Sequence, residues 1–478
     1  MKGNKTLAIF GVAVSLLLAA MVFGLARNKG TAVNVPTPPV TLPTPLVEVG
    51  APHSSGQVGE ALKMTGRLSH GHLLKGAESS TAFLLVDVDA ATEALNKQVP
   101  LDLAIVVDRS GSMIGDKLDE ARRAARELVG KLRPGDRVAL VSYSTNITIE
   151  VPLVDAESGR QSLLSAIDGL TAVGGTHISG GLETGQQILK GAQSGNRVRR
   201  IILLSDGHAT AGLTEPAELG RLAAQAREAG ITITSMGLGV DYNEKLMAEI
   251  ARQGGGNYYF IERSASLSET FDKEFSTLTA SIARDAAVVV ELAPGVAARQ
   301  VFGFAHTIEG RRITVPMSEF YAGQNKSLLV ELSVAGAAEG LVDVAKLELA
   351  YLDLRSDSPA RFELSLSMAT ADDAEAVEAS RDREVYVRRE QILTASAYED
   401  AMQRYESGER EQAQQILSER NRQMRQSNVW LKSETLDAEA ASADSTLGDL
   451  GNFGSGSAEG KAAIKSNRAR SLKLQLAK

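Results

Sequence analysis

Between residues 101 and 283, two kinds of apolar segment take turns along the chain. Short continuous runs, such as LDLAIVV from Leu101 and IILL from Ile201, alternate with longer stretches in which apolar residues return every three or four positions. The first kind marks strands buried on both faces, and the second marks helices that cover them. Strands are expected at 101–107, 138–143, 147–151, 200–204, 231–238 and 257–261. Helices are expected at 115–132, 161–170, 178–190, 215–229, 243–252 and 266–283. Such alternation predicts an α/β unit at 100–284 with a doubly wound, mostly parallel sheet.

From residue 288 the helical period disappears. Val330, Leu332 and Val334, then Leu347, Leu349 and Tyr351, then Phe362, Leu364, Leu366 and Met368 repeat at period two, as half-buried antiparallel strands do. A β-sandwich is therefore expected at 285–371. Two strand candidates precede the α/β unit, one around Leu62, Met64 and Leu68 and one at 81–89. Two strands alone are marginal, so residues 60–99 are expected to pair with 286–370, the strand near Met64 reaching beyond residue 99. The α/β unit is then an insertion, which close termini permit. At 372–432 one apolar stripe (Ile392, Ala395, Tyr398, Met402, Tyr405) and another (Ala413, Ile416, Leu417, Met424) flank Ser407-Gly408, which predicts a helical hairpin. Residues 433–478, rich in Ala, Ser and Gly and closing with six basic residues and no acid from Lys461 on, are expected to be a flexible tail.

The N-terminus adds a targeting signal. Residues 6–26 carry no charge and lie between Lys2 and Lys5 on one side and Arg27 and Lys29 on the other. That length spans a bilayer as a helix, so residues 1–30 are expected to anchor the chain in a membrane, with its domains outside the cytoplasm in the cell envelope. The alternative is a cleaved signal, with Gly24-Leu25-Ala26 as the site and a secreted or periplasmic product. Residues 31–59 follow as a spacer, with five of the chain's 13 prolines within 35–45. Composition narrows the chemistry. With 51 Lys plus Arg against 59 Asp plus Glu there is no basic footprint for nucleic acid. With no cysteine, thiolate sites and disulfides are excluded, and a metal site must use oxygen or histidine.

Asp108, Ser110 and Ser112 alternate directly after the first α/β strand, Gly174-Gly175-Thr176 forms a second loop, and Ser205-Asp206-Gly207 follows the strand ending at Leu204. In a doubly wound sheet such loops converge at the carboxyl edge, where strand order reverses. Hydroxyl and carboxylate oxygens gathered there suit a hard cation such as Mg²⁺. A lone D-x-S-x-S is more often a capped helix start, and the two further loops are what favour a metal. His177 and His208 adjoin the motif as rim residues. His70 and His72 form a pair that lacks a third ligand.

D-x-S-x-S, a Gly-Gly-Thr loop and LSDG in this order resemble the von Willebrand factor type A (VWA) domain with its metal-ion-dependent adhesion site, over residues 101–283. The resemblance implies that Ser110, Ser112 and Thr176 ligate Mg²⁺ (or Mn²⁺ or Ca²⁺), and that Asp108 and Asp206 hold it directly or through water. Gly237-Leu238-Gly239, residues 241–247 and residues 254–258 are also similar to bacterial relatives of inter-alpha-trypsin-inhibitor heavy chains and calcium-activated chloride channel regulators. No H-E-x-x-H or G-x-S-x-G motif occurs, and the P-loop-like residues 454–462 lack the spacing and the preceding strand. The expected function is non-enzymatic, adhesion-type binding of a protein that exposes Asp or Glu. The alternative is an assembly or regulatory subunit of a membrane-associated complex, chaperone-like or channel-related. Ligand binding is expected to bias the last helix, 266–283.

Overall fold

The structure, a computed structural model, describes residues 54–92, 99–192, 197–206, 208–239, 242–336 and 339–476. The expected anchor at 1–30 and the spacer up to residue 53 lie outside these residues, and no described helix is long and apolar enough to cross a membrane. The last residues assigned to the spacer form a strand.

Four strands come first: β1 (Ser55–Gly59), β2 (Leu62–Leu68), β3 (His72–Leu74) and β4 (Ser79–Ala90). The α/β unit follows as β5 (Leu101–Asp108), α1 (Asp116–Lys131), β6 (Arg137–Tyr143), β7 (Ile147–Asp155), α2 (Arg160–Gly169), α3 (Ile178–Gly191), β8 (Val198–Ser205), α4 (Pro216–Glu228), β9 (Ile231–Leu238), α5 (Glu244–Gly254), β10 (Gly255–Ile261) and α6 (Leu267–Thr279). Its sheet runs β10-β9-β8-β5-β6-β7, parallel except at β6–β7. All eight residues of β5 are buried, because helices cover both faces. In α1, Leu118, Ala121, Ala124, Ala125, Leu128 and Val129 line the buried stripe. The chain leaves β5 toward β6 and returns to its other side at β8, so strand order reverses there. α6 is shorter than expected, since the chain turns extended at Ser281 to enter the next sheet.

Strands β11 (Ser281–Leu292), β12 (Val296–Phe302), β13 (Thr307–Glu309), β14 (Arg312–Tyr321), β15 (Asn325–Ala335), β16 (Leu341–Asp353) and β17 (Ser358–Ala371) complete a two-sheet sandwich with orders β1-β2-β4-β15-β12 and β13-β14-β11-β16-β17-β3. The early and late strands do share sheets, through β4 on β15 and β3 on β17. The strand around Met64 was expected to make that join. It pairs only with β1 and β4, since β4 takes the inner position and leaves β2 farther out. Met64, Leu84, Val88, Val290, Leu347 and Leu366 fill the space between the sheets. At Gly66 a Cβ would come within 2.6 Å of Leu347, so this glycine admits the facing sheet.

A helical bundle ends the chain: α7 (Ala374–Ala379), α8 (Arg383–Glu406), α9 (Arg410–Leu431), α10 (Glu434–Asn452) and α11 (Ala458–Leu476). Both predicted stripes point inward: Tyr398, Met402 and Tyr405 of α8 meet Ala413 and Leu417 of α9. The expected flexible tail at 433–478 is corrected to two packed helices. Ala443, Leu450 and Ile464 extend the hairpin core, Ser433 caps α10, and Lys465 and Arg468 find carboxylates at Glu244 and Glu406. The bundle tips onto the start of α5, where the Lys465 Nζ donates to Tyr242 O and to Glu244 Oε2, each at 2.6 Å.

Lys326 lies at the sandwich edge facing the α/β unit. Its Nζ donates to Met317 O at 2.6 Å and Glu319 O at 2.8 Å and lies 4.6 Å over the Phe320 ring. Burial pushes its ammonium down to about 7, with Glu319 opposing and Arg200 adding to the push. The unfolded chain then holds more protons between pH 7 and 10.5, so this group's contribution to stability rises with pH across that window. Thermal melts of the native protein and Lys326→Met should diverge most at pH 7 and converge as pH approaches 10.5. A pH-independent difference would refute the buried-ammonium account.

Candidate metal centre

Asp108 ends β5, and Asp206 follows the last residue of the adjacent β8, so the fold places two carboxylates side by side where strand order reverses. Asp108 is fully buried. Its Oδ1 accepts from Ser110 N and its Oδ2 from Ser205 Oγ, both at 2.8 Å. Burial pushes its carboxyl up to about 6, against the pull of the Ser110 and Ser205 hydrogen bonds and with some help from Asp206.

The hydroxyls are arranged around the second carboxylate. Ser110 Oγ and Ser112 Oγ are 3.0 Å apart, and Ser112 Oγ donates to Asp206 Oδ1 at 2.8 Å. Ser110 is buried while Ser112 is exposed, so the cluster opens to solvent on one side. The Gly-Gly-Thr loop is drawn in by Gly111 N donating to Gly174 O at 3.0 Å. It is held from behind where Gly175 N donates to Thr145 Oγ1 and Thr176 N to Thr210 Oγ1, both at 2.8 Å. Gly174 has φ +77, and a Cβ there would sit 2.8 Å from Thr145 Oγ1, so glycine is required for the close approach. Thr176 is buried in this loop. All five residues expected from sequence thus belong to three neighbouring loops at one sheet edge.

The donor set fits a small hard cation. Ligands about 2.1 Å from an octahedral centre lie about 3.0 Å from one another, and the Ser110, Ser112 and Asp206 oxygens already show separations of 3.0 and 2.8 Å. Among the described residues no three carboxylate, imidazole or thiol groups gather around one point, so an ion here would rely on hydroxyls as much as on charge.

The sequence reading missed four supports. Ser205 lies within LSDG but was given no role, and Thr145 and Thr210, which brace the Gly-Gly-Thr loop, sit in no motif. Lys117, in the first turn of α1, places its Nζ 2.5 Å from Asp206 Oδ2. Its signal was available in the five-residue spacing from Ser112, which brings a helix's opening turn back toward the loop. His177 precedes α3 and donates its backbone N–H to Ser144 O, and His208 is exposed, as rim residues would be. His70 is pinned between Ser69 Oγ and Tyr386 OH, at 2.8 Å each.

Residues 102–273 match the von Willebrand factor type A domain family. The α/β unit is a VWA domain. YfbK of Escherichia coli (strain K12) is 30% identical over 265 residues, 53% of this chain and 45% of that protein. Inter-alpha-trypsin inhibitor heavy chain H4 of Bos taurus is 29% identical over 165 residues, 33% of this chain and 18% of that protein. The chain therefore spans less than half the length of these curated relatives. A von Willebrand factor type A structure from Catenulispora acidiphila superposes with a TM-score of 0.66, covering 84% of this chain and 91% of that one. At 19% identity this likeness carries the fold alone, and its coverage takes in more than the VWA domain.

Proposed function

We propose that the chain is a non-enzymatic, Mg²⁺-dependent protein-binding component of the cell envelope, anchored through its N-terminal apolar segment. Its VWA domain would hold the ion with Asp108, Ser110, Ser112, Thr176 and Asp206 and grip a carboxylate of a partner protein. The observation that carries this reading is the convergence of the Ser110, Ser112 and Asp206 oxygens, joined at 3.0 and 2.8 Å, beside an exposed opening. The charge balance supports it. Two carboxylates and the Lys117 ammonium sum to −1, and a divalent ion makes the site +1, so an incoming Asp or Glu is attracted.

The test is retention of a partner from envelope extract by the purified protein in Mg²⁺ and in excess EDTA. Retention in Mg²⁺ alone, lost in Asp206→Ala, supports the reading. Equal retention in both favours an assembly or regulatory subunit that binds through other surfaces.

Lys117 tunes the site, because its ammonium shares Asp206 with any bound cation. Lys117→Met is expected to tighten Mg²⁺ binding roughly three- to tenfold at low salt, with the gain shrinking as salt rises. Titration calorimetry checks it. Weaker binding in the variant would mean that Lys117 instead orients Asp206 for the ion.

A further inference from the structure

A cavity of about 630 Å³ lies where the VWA domain, the sandwich and α11 meet. Its wall carries four cationic side chains, Arg227, Arg252, Lys273 and Arg470, together with the Lys326 amine and no carboxylate residue, in a chain whose net charge is −8. Two of these cations are balanced nearby, Arg252 by Glu249 and Arg470 by Glu439, each at 2.7 Å. Arg227 has no such pair. Half-buried at the end of α4, its guanidinium makes no hydrogen bond or ion pair among the described residues, with Glu228 attracting it through space and Arg252 repelling it. Two neighbouring guanidinium groups facing a cavity without a carboxylate form an incomplete clamp, whose fork geometry matches phosphate oxygens.

Two independent features point to a ligand at the same place. The Ser318 hydroxyl, on the cavity wall, is shielded from solvent and has no hydrogen-bond partner, and Ser318 itself holds a left-handed backbone at φ +63. The left-handed residue sits where the register of β14 on β11 shifts, and that irregularity turns the hydroxyl toward the cavity. A Cβ at Gly255 would sit 2.5 Å from that hydroxyl, so glycine makes room for it. Tyr258, Tyr259, Phe304 and Tyr321 add aromatic residues to the wall. The Tyr258 hydroxyl is tied to Tyr242 and the Tyr259 hydroxyl to Glu274, which fixes both rings. A volume of this size suits an organic molecule rather than a simple ion.

We infer that this cavity binds a phosphate-bearing small molecule with a planar ring, a nucleoside phosphate in chemical class. Its phosphates would be held by Arg227, Arg252 and Ser318, and its ring would lie against Phe304. The ligand would bridge the VWA domain and the sandwich, since Arg227 belongs to the first and Ser318 to the second.

The experiment is titration calorimetry of the full chain with ADP, GDP and UDP in EDTA, which keeps the metal centre out of the measurement. Saturable binding of at least one is expected, weakened tenfold or more in Arg227→Gln and unchanged in Asp206→Ala. Phe304→Ala should weaken the nucleotide but not inorganic phosphate. Unliganded melting temperatures verify that the variants are folded. Absence of saturable binding by all three at millimolar concentration would overturn the inference, as would equal binding by Arg227→Gln. Inorganic phosphate binding as tightly as the best nucleotide would overturn the nucleoside class.

Discussion

Arg200→Met is expected to destabilise the protein by about 3–5 kcal/mol, the cost of removing one partner from a buried ionic cluster. Arg200 lies fully buried on β8 and donates to Glu274 Oε1 of α6 at 2.9 Å, Thr234 Oγ1 at 3.0 Å and Glu319 Oε2 of β14 at 2.5 Å, with the Tyr321 hydroxyl also in contact. Burial works against its charge, yet Tyr321, Glu319 and Glu274 together hold its pKa above the ordinary guanidinium value. Methionine fills much of the volume but leaves two glutamates in a dry junction without their cation. Glu274 keeps bonds from Asn257 at 2.8 Å and Tyr259 at 3.0 Å, which stabilise a carboxylate less than a guanidinium does. Adding Glu274→Gln and Glu319→Gln to Arg200→Met should recover a large part of the loss, because the uncompensated charges are gone. Chemical denaturation of the single and triple variants checks both statements. A loss under about 1 kcal/mol for Arg200→Met would mean that water reaches the junction and screens it. This cluster also links the last VWA helix to the sandwich, through Glu274 of α6 and Glu319 of β14.

Asp108→Asn and Asp206→Ala should each abolish measurable Mg²⁺ binding, a loss of a hundredfold or more, yet differ in the ion-free protein. Asn at 108 keeps an oxygen for the Ser110 N–H and removes the charge that burial penalises, so the ion-free melting temperature should hold or rise. Ala at 206 strips Ser112 and Lys117 of their acceptor at the sheet edge, where a small fall is expected. Differential scanning calorimetry with and without Mg²⁺ reads both. The native protein should gain thermal stability with the ion and the variants should not. A Mg²⁺-induced shift surviving in either variant would place the ion elsewhere.

The site was legible in the chain because its chemistry is local. Asp108, Ser110 and Ser112 share one turn, and the turn follows a strand whose burial on both faces shows as an uninterrupted apolar run. The two other loops could be assigned to the same place because parallel strands deliver their ends to one edge. Period two likewise exposed β15, β16 and β17, whose half-burial writes itself into alternate residues. Partners that depend on distant chain were not legible. Which of β2 and β4 would meet β15 is a matter of sheet order, which alternation does not encode. Arg200 meets Glu319 across 119 positions, and Lys465 meets Glu244 across 221. A basic, alanine-rich terminus reads as a solvated tail until its charges find acids on another domain. Pattern along the chain records which face of an element is dry. Only the assembled structure decides which charges share the dry space between elements, because ion pairs and cavities there depend on three-dimensional proximity and leave no period in the sequence.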